Sequence, residues 1–256
     1  MILLYDSTIK VTYAILDPKM ERIKSLSVFF PAYNEEGNIA RTINRAMAIL
    51  PQIAREWEII VINDGSTDKT GQIVNCLIKK EPRIKMIVHT PNRGYGAALK
   101  SGFYSARYQW IAFTDSDGQF DFDQIRRFLP LAEKADAIFG FREKRGDSFY
   151  RNLLQKVLSL VNRLLFGLKV RDVDCGFKMI KKEVIEKIPH LITESAITET
   201  ELVVRIKRAG FKIAEVGVSH LPRKKGKQTG GNFKIIFKAG IEGLKLWGRM
   251  LQKEKE

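Results

Sequence analysis

Phe113-Thr114-Asp115-Ser116-Asp117-Gly118-Gln119-Phe120-Asp121 is the stretch on which the fold turns. The apolar run Trp110 to Phe113 leads into it and reads as a buried strand. That strand delivers two carboxylates at i and i+2, then a glycine. Carboxylates at the carboxyl end of a strand sit where open α/β sheets bind ligands. Side by side they repel, and a hard divalent cation shared with phosphate oxygens would offset the repulsion. A solvated acidic turn is the plain alternative, because Asp and Gly are ordinary turn residues.

The flanking sequence alternates apolar strands with helical periodicity. Leu26 to Phe30 is a first strand, ended by Pro31, and a loop runs from there to Asn38. Ile39, Ile43, Ala46 and Leu50 recur at helical spacing, and Pro51 is expected to stop that helix. Glu58 to Ile62 is a second strand, whose turn Asn63 to Asp68 caps a helix to about Lys80. Ile84 to Val88 is a third strand, followed by a helix from Gly94 to Ala106. Fully apolar strands alternating with helices predict a mostly parallel central sheet with helices on both faces, an α/β fold. The second half is less regular. Strands are expected over Asp136 to Phe139, up to Ile180, and over Ile213 to Val218, the last nearer an edge. Helices are expected over Phe149 to Phe166 and from Thr198 to near Gly210.

The chain has 256 residues and a formal charge of +15. Such an excess points to a polyanionic partner: nucleic acid, an anionic membrane or phosphorylated substrates. Cys76 and Cys175 make neither a disulfide framework nor a zinc spacing. No run approaches the roughly 18 apolar residues of a spanning helix. The first residues lack a basic n-region and a cleavage site, against a signal peptide. The division expected is an extension over 1–24, a catalytic domain over 25–231, and a basic amphipathic helix over 232–256. In that helix Phe233, Ile236, Phe237, Ile241, Leu244, Trp247 and Leu251 form one stripe, with Lys234, Lys238, Lys245 and Arg249 on another face. Such a helix suits a membrane surface; packing on the domain or on a second copy is the alternative.

No Gly-x-Gly-x-x-Gly follows the first strand, and no P-loop pattern exists. What remains is a set of acidic loops on one sheet edge: Glu35, Asp64, Asp115 and Asp117. A metal on the Asp pair, helix N-termini and Arg93 would draw a diphosphate to that edge. Glu35 and Asp64 would accept hydrogen bonds from a base or ribose, or serve only as a first-turn acid and a helix cap. His89, His190, Cys175 and Met179 read as packing or surface residues. A nucleic-acid-binding protein would explain the charge but not the acidic loops, and no nucleic-acid motif appears. A nucleotidyltransferase would carry a Gly-rich basic loop where Pro31-Ala32-Tyr33-Asn34 stands.

Pro31-Ala32-Tyr33-Asn34-Glu35-Glu36, Val61 through Asp68, Arg93-Gly94-Tyr95-Gly96-Ala97-Ala98 and Asp115-Ser116-Asp117-Gly118-Gln119 together resemble family 2 glycosyltransferases of the GT-A fold. The Asp-Gly-Gln form, with Asp172-Val173-Asp174-Cys175-Gly176-Phe177-Lys178 downstream, resembles the polyprenyl-phosphate branch that includes dolichyl-phosphate mannose synthase. The resemblance covers roughly residues 25–230. It implies a Rossmann-like nucleotide-diphospho-sugar transferase with a nucleotide-sugar donor, GDP- or UDP-linked, and a polyprenyl phosphate acceptor. It also implies Mg²⁺ or Mn²⁺, and attachment at the cytoplasmic face of a membrane. Pro31, Tyr33, Glu35 and Asp64 would border the nucleotide, with Arg93 and Gly94 beside it. Asp115 and Asp117 would hold the metal, with Gln119 adjacent. Arg142 would contact the acceptor phosphate, helped by Arg145 and Arg151. Glu199 and Glu201 stand where other members place a catalytic base. The basic segment from His220 to Gly231, with Arg223, resembles a flap over the diphosphate. A saccharide hydroxyl is the alternative acceptor.

Overall fold

The computed structural model describes residues 21–143, 165–223, 225 and 233–252. Seven strands form one sheet: β1 (Ile23–Ala32), β2 (Ala54–Asn63), β3 (Ile84–Val88), β4 (Trp110–Thr114), β5 (Ala137–Arg142), β6 (Phe177–Lys181) and β7 (Ile213–Val218). Their order is β3-β2-β1-β4-β6-β5-β7. The helices are α1 (Ile39–Ile53), α2 (Thr70–Ile78), α3 (Tyr95–Ser105), α4 (Lys182–Lys187), α5 (Ile197–Arg208) and α6 (Phe233–Gln252), with two 3₁₀ turns after β4. The expected Phe149–Phe166 helix falls outside the described residues except for its last two. Arg145, Arg151 and most of the segment 224–232 also lie outside them.

Strand alternation divides the core into two layers. Val28, Phe30, Ile59 and Val61 face α1, α2 and the 3₁₀ turns. Phe29, Ile60, Ile62, Ile111 and Phe113 face α3, α4 and α5. β1, β2, β3 and β4 pair in parallel, as apolar strands linked by helices require. β6 is the exception. It runs antiparallel to both neighbours, with Thr114 opposite Phe177 and Phe139 opposite Lys178. β7 closes the far edge, and its alternating burial fits a strand with a single neighbour, β5.

Both prolines expected to end elements lie inside them. β1 continues through Pro31 to Ala32, because β4 pairs with β1 only as far as Phe29 and needs no N–H from Pro31. α1 runs past Pro51 to Ile53. The Gln52 side-chain amide donates to the Ala48 carbonyl at 2.7 Å and supports the last turn that Pro51 weakens.

α6 meets the domain through α5. Leu246 is buried, and a Cβ on Gly243 would stand 3.4 Å from Ile197 Cδ1. Ile241, Leu244 and Trp247 remain 41%, 60% and 36% exposed. The apolar stripe read from the sequence is therefore not the face that packs on the domain over residues 240–249. A glycine and Leu246 are.

Phe29 carries the tightest packing. Its ring stacks on Phe113 at 5.2 Å and meets Phe103 edge-on at 5.0 Å. A Cβ on Gly102 would come within 2.3 Å of that ring. Helix propensity alone would make Gly102→Ala stabilising by about 1 kcal/mol. Overpacking should reverse the sign, at a cost of about 1–3 kcal/mol. Urea unfolding followed by tryptophan fluorescence distinguishes the two, since a raised midpoint contradicts the packing argument.

Candidate active site

Parallel pairing sends the loops after β1, β2, β3 and β4 to one edge of the sheet. Because β6 is antiparallel, its N-terminal turn reaches the same edge, and β5 and β7 end there too. The loops are laced together. Asn34 adopts φ 55° and accepts from Thr67 N at 2.8 Å through its side-chain oxygen. Ser116 Oγ donates to Pro31 O at 2.7 Å, tying the central turn to the first loop. A Cβ on Gly118 would meet Arg41 Nη2 at 2.3 Å, so Arg41 closes over that turn.

Glu35 is buried. Its carboxylate accepts from Asn38 Nδ2 at 2.8 Å and from Arg223 Nη2. Burial raises its pKa, and the bonds from Asn38 and Arg223 oppose that only in part. Arg223 also stands 3.5 Å from Asp117 Oδ2, so one guanidinium bridges the first loop and the acidic turn. Tyr33, on the same loop, is 40% exposed. Asp64 is buried and does not cap α2; Lys69 is the N-cap residue, and Asp68 before it accepts from Thr70 N at 2.9 Å. The Asp64 carboxylate instead accepts from Arg93 N at 2.9 Å and Gly94 N at 2.8 Å and pairs with His89 Nδ1 at 2.6 Å. It shapes the β3–α3 loop from within. His89 is thereby a partner of the acidic edge and not an isolated core histidine. The Arg93 side chain lies against Glu194, which also accepts from Lys100.

Asp115 and Asp117 flank Ser116 at the end of β4. Desolvation first, then the charges of Asp117 and Glu199, push the Asp115 carboxyl up to about 8. The Tyr95 hydroxyl lies between Asp115 Oδ1 at 3.0 Å and Glu199 Oε1 at 3.2 Å. Asp117 Oδ1 accepts from Gln119 N at 2.9 Å. Gln119 reaches the segment after β7, its Nε2 donating to Leu221 O at 3.0 Å while Leu221 N donates to Gln119 O at 2.8 Å. Among the described residues no cluster of three or more acidic, His or Cys side chains could hold a metal. The donor set nevertheless fits a hard divalent cation. Two crowded carboxylates supply oxygen ligands, lack a full counter-charge and leave positions for phosphate oxygens and water.

Across the turn, Arg142 binds Asp172 in a fork, Nε to Oδ2 and Nη2 to Oδ1, each at 2.8 Å. Burial works against the Arg142 cation, but Asp172 outweighs it and raises the pKa. Glu199 and Glu201 are both buried. Glu199 binds the Lys178 ammonium and the Tyr95 hydroxyl. Glu201 accepts from Ile192 N, from Thr193 through its N–H and its hydroxyl, and from Arg205 Nε. Burial pushes the Cys175 thiol, on the turn before β6, up to about 12, fitting a packing role. Sequence reasoning gave Lys178, Tyr95 and Asp172 no roles. One signal was present: a lysine inside the apolar run Phe177-Lys178-Met179-Ile180 needs a buried partner.

The chain is similar to known proteins. A dolichyl-phosphate beta-glucosyltransferase of Dictyostelium discoideum is 31% identical over 214 residues, covering 76% of this chain and 65% of the relative. A polyprenol monophosphomannose synthase of Mycolicibacterium smegmatis is 29% identical over 233 residues, covering 85% of this chain and 86% of the relative. The first of these shows that the chain spans about two thirds of a curated relative it matches. In fold, the chain superimposes on a mannosyltransferase from Pyrobaculum calidifontis, solved with GDP-Man and Mn²⁺. The TM-score is 0.60 at 20% identity, over 86% of this chain and 62% of that one. The GT-A fold expected from the loops is thus the fold observed. The pattern of glycosyl transferase family 2 matches residues 27–189, a span that starts within β1, runs through β6 and includes the whole Asp115–Asp117 turn, and the chain belongs to that family.

Proposed function

We propose that the chain moves a sugar from a nucleotide sugar to a polyprenyl phosphate, with a divalent cation at Asp115 and Asp117. One observation carries the choice of acceptor. Glu199 and Glu201, which the resemblance sets where other members carry a base, are both buried and bonded, so neither is set to take a proton from a hydroxyl. A lipid monophosphate is already ionised near neutral pH and needs no such base; it needs positioning. Arg142 supplies a guanidinium oriented by Asp172, suited to phosphate oxygens. The named substrates of the dolichyl- and polyprenol-phosphate relatives support the same reading.

A bound Mg²⁺ or Mn²⁺ would neutralise the departing nucleoside diphosphate as a Lewis acid. Asp115 and Asp117 would hold it, with Gln119 fixing the turn. Pro31, Tyr33 and Glu35 would border the base and ribose, and Asp64 would act through the Arg93–Gly94 loop. Arg223 would exchange its carboxylate partners for diphosphate oxygens, closing the segment after β7 over the donor. Direct displacement inverts the anomeric centre, so an α-linked donor yields a β-linked lipid phosphosugar. Residues 25–231 would form the catalytic unit and 232–256 its membrane contact.

Asp117→Asn should reduce sugar transfer by about 100-fold or more, the scale for losing a charge-stabilising group. Release of GDP or UDP, with a short polyprenyl phosphate and Mn²⁺, measures it. Undiminished turnover in EDTA would remove the metal from the mechanism.

Arg142→Lys keeps the charge but loses the fork. Acceptor KM should rise about tenfold while donor KM stays within about twofold, because a lysine held by Asp172 lacks the further N–H groups that a guanidinium can turn to phosphate. Preference for a sugar or polyprenol hydroxyl over the lipid phosphate would overturn the acceptor assignment.

The exposed Ile241, Leu244 and Trp247, with Lys245 and Arg249 beside them, give α6 a face suited to an anionic lipid surface. No helix among the described residues is long and apolar enough to cross a membrane. Each cation contributes about 1 kcal/mol near such a surface. Leu244→Glu/Trp247→Glu alters only exposed positions and should abolish flotation with anionic vesicles while leaving the thermal midpoint unchanged. Equal flotation of this variant and the parent would move the anchor elsewhere.

A further inference from the structure

We infer that Lys178 is the positioning residue of the acidic site, a buried ammonium that holds Asp115 in place from two sides. The inference rests on Asp115 as a cation ligand. Lys178 is completely buried in β6. Its three N–H donors have three acceptors: Val173 O at 2.9 Å, Cys175 O at 2.6 Å and the Glu199 carboxylate. The rings of Phe113 and Phe139 lie 5.4 and 5.8 Å from the nitrogen and close the site to water.

The first side is backbone. By gathering the Val173 and Cys175 carbonyls, the ammonium folds the turn before β6 around itself. That turn ends at Gly176, whose carbonyl accepts from Asp115 N at 3.2 Å. A Cβ on Gly176 would stand 2.3 Å from Asp115 Oδ2, so the turn forms the wall behind the carboxylate. The second side is a chain of side chains. Lys178 holds Glu199, Glu199 meets the Tyr95 hydroxyl, and the hydroxyl meets Asp115 Oδ1. One cation thus fixes the Asp115 rotamer through both a turn and a relay. A buried charge so costly to desolvate needs all three partners, and here it has them. Groups that orient metal ligands typically change metal affinity or activity 10–100-fold when removed.

The chain itself contains a reporter. Cys175 is buried on the held turn, whereas Cys76 is exposed and lies far from the site in sequence, on α2. In a Cys76→Ser parent, Lys178→Met/Glu199→Gln removes both charges of the pair and leaves neither buried alone. Labelling of Cys175 by a disulfide reagent should accelerate about tenfold or more, in protein with native circular dichroism. The Mn²⁺ concentration for half-maximal transfer should rise about tenfold or more, while donor KM at saturating Mn²⁺ stays within about twofold. A general loss of folding would not split those two constants. Tyr95→Phe cuts only the relay: Cys175 should stay protected, yet the Mn²⁺ midpoint should still rise. If the double variant folds with Cys175 protected and the Mn²⁺ midpoint unmoved, Lys178 is a packing residue and the inference fails. Should the double variant not fold, an unmoved midpoint in Tyr95→Phe overturns the relay by itself. A parent that does not respond to Mn²⁺ sinks the cation assignment instead, a result distinguishable from either.

Discussion

The antiparallel pairing of β6 between β4 and β5 is the constraint on which the site depends. A parallel strand in that position would start at the opposite edge of the sheet. It would carry the turn from Asp172 to Gly176 away from Asp115. Running antiparallel, β6 opens beside the end of β4, with Phe177 opposite Thr114. Gly176 then backs Asp115, Asp172 faces Arg142 at the end of β5, and Lys178 sits one residue inside the sheet under Glu199. Reversal of one strand assembles residues from four separate parts of the chain.

Most carboxylates at this edge have a cation beside them, although the whole chain carries +15. Arg223 serves Glu35 and Asp117, Arg142 serves Asp172, Lys178 serves Glu199, and Arg93 with Lys100 serves Glu194. These pairs differ in kind. Arg142–Asp172 and Lys178–Glu199 are buried, and removing one member leaves a charge without water or partner. Arg93–Glu194 is about half exposed and contributes little to stability. The buried pairs therefore fix geometry, and the exposed pair exchanges partners at little cost. Asp115 has no cation paired directly with it among the described residues, and burial first, then the charges of Asp117 and Glu199, drives its pKa upward.

Much of this was legible in the sequence, and the parts that were not share a cause. β3 and β7 have the limits read from their apolar runs, because a short run of apolar residues declares itself locally, and β7 also alternates in burial. The Asp115–Asp117 turn was legible because a buried strand ending in paired acids has few structural explanations. Strand direction was not: Phe177 to Lys181 reads the same in either sense, and its partners lie far away in sequence. The partners of Asp64 were hidden for a similar reason, since an aspartate after a strand resembles a helix cap until the β3–α3 loop folds against it. Pro31 and Pro51 were over-read as terminators. A missing N–H matters only where a neighbour needs that donor. The role of Gly243 also depends on a distant partner: its lack of a side chain lets α6 approach Ile197.

That last contact joins two parts of the molecule with different surroundings. Ile197 opens α5 and lies against Gly243 of α6, and Glu199 follows two residues later in the same turn. The helix that would touch lipid and the relay that ends at Asp115 thus share one turn of α5, with no loop between them. On the proposed reading, this matters for an acceptor whose phosphate stays close to the membrane surface. The enzyme must hold its acidic edge at a fixed height above the headgroups, and a flexible tether would leave that height undefined. A helix packed on α5 through a glycine and Leu246 sets it by direct contact. On that reading the exposed apolar residues of α6 would determine where the catalytic edge stands relative to the lipid, as well as whether the protein binds.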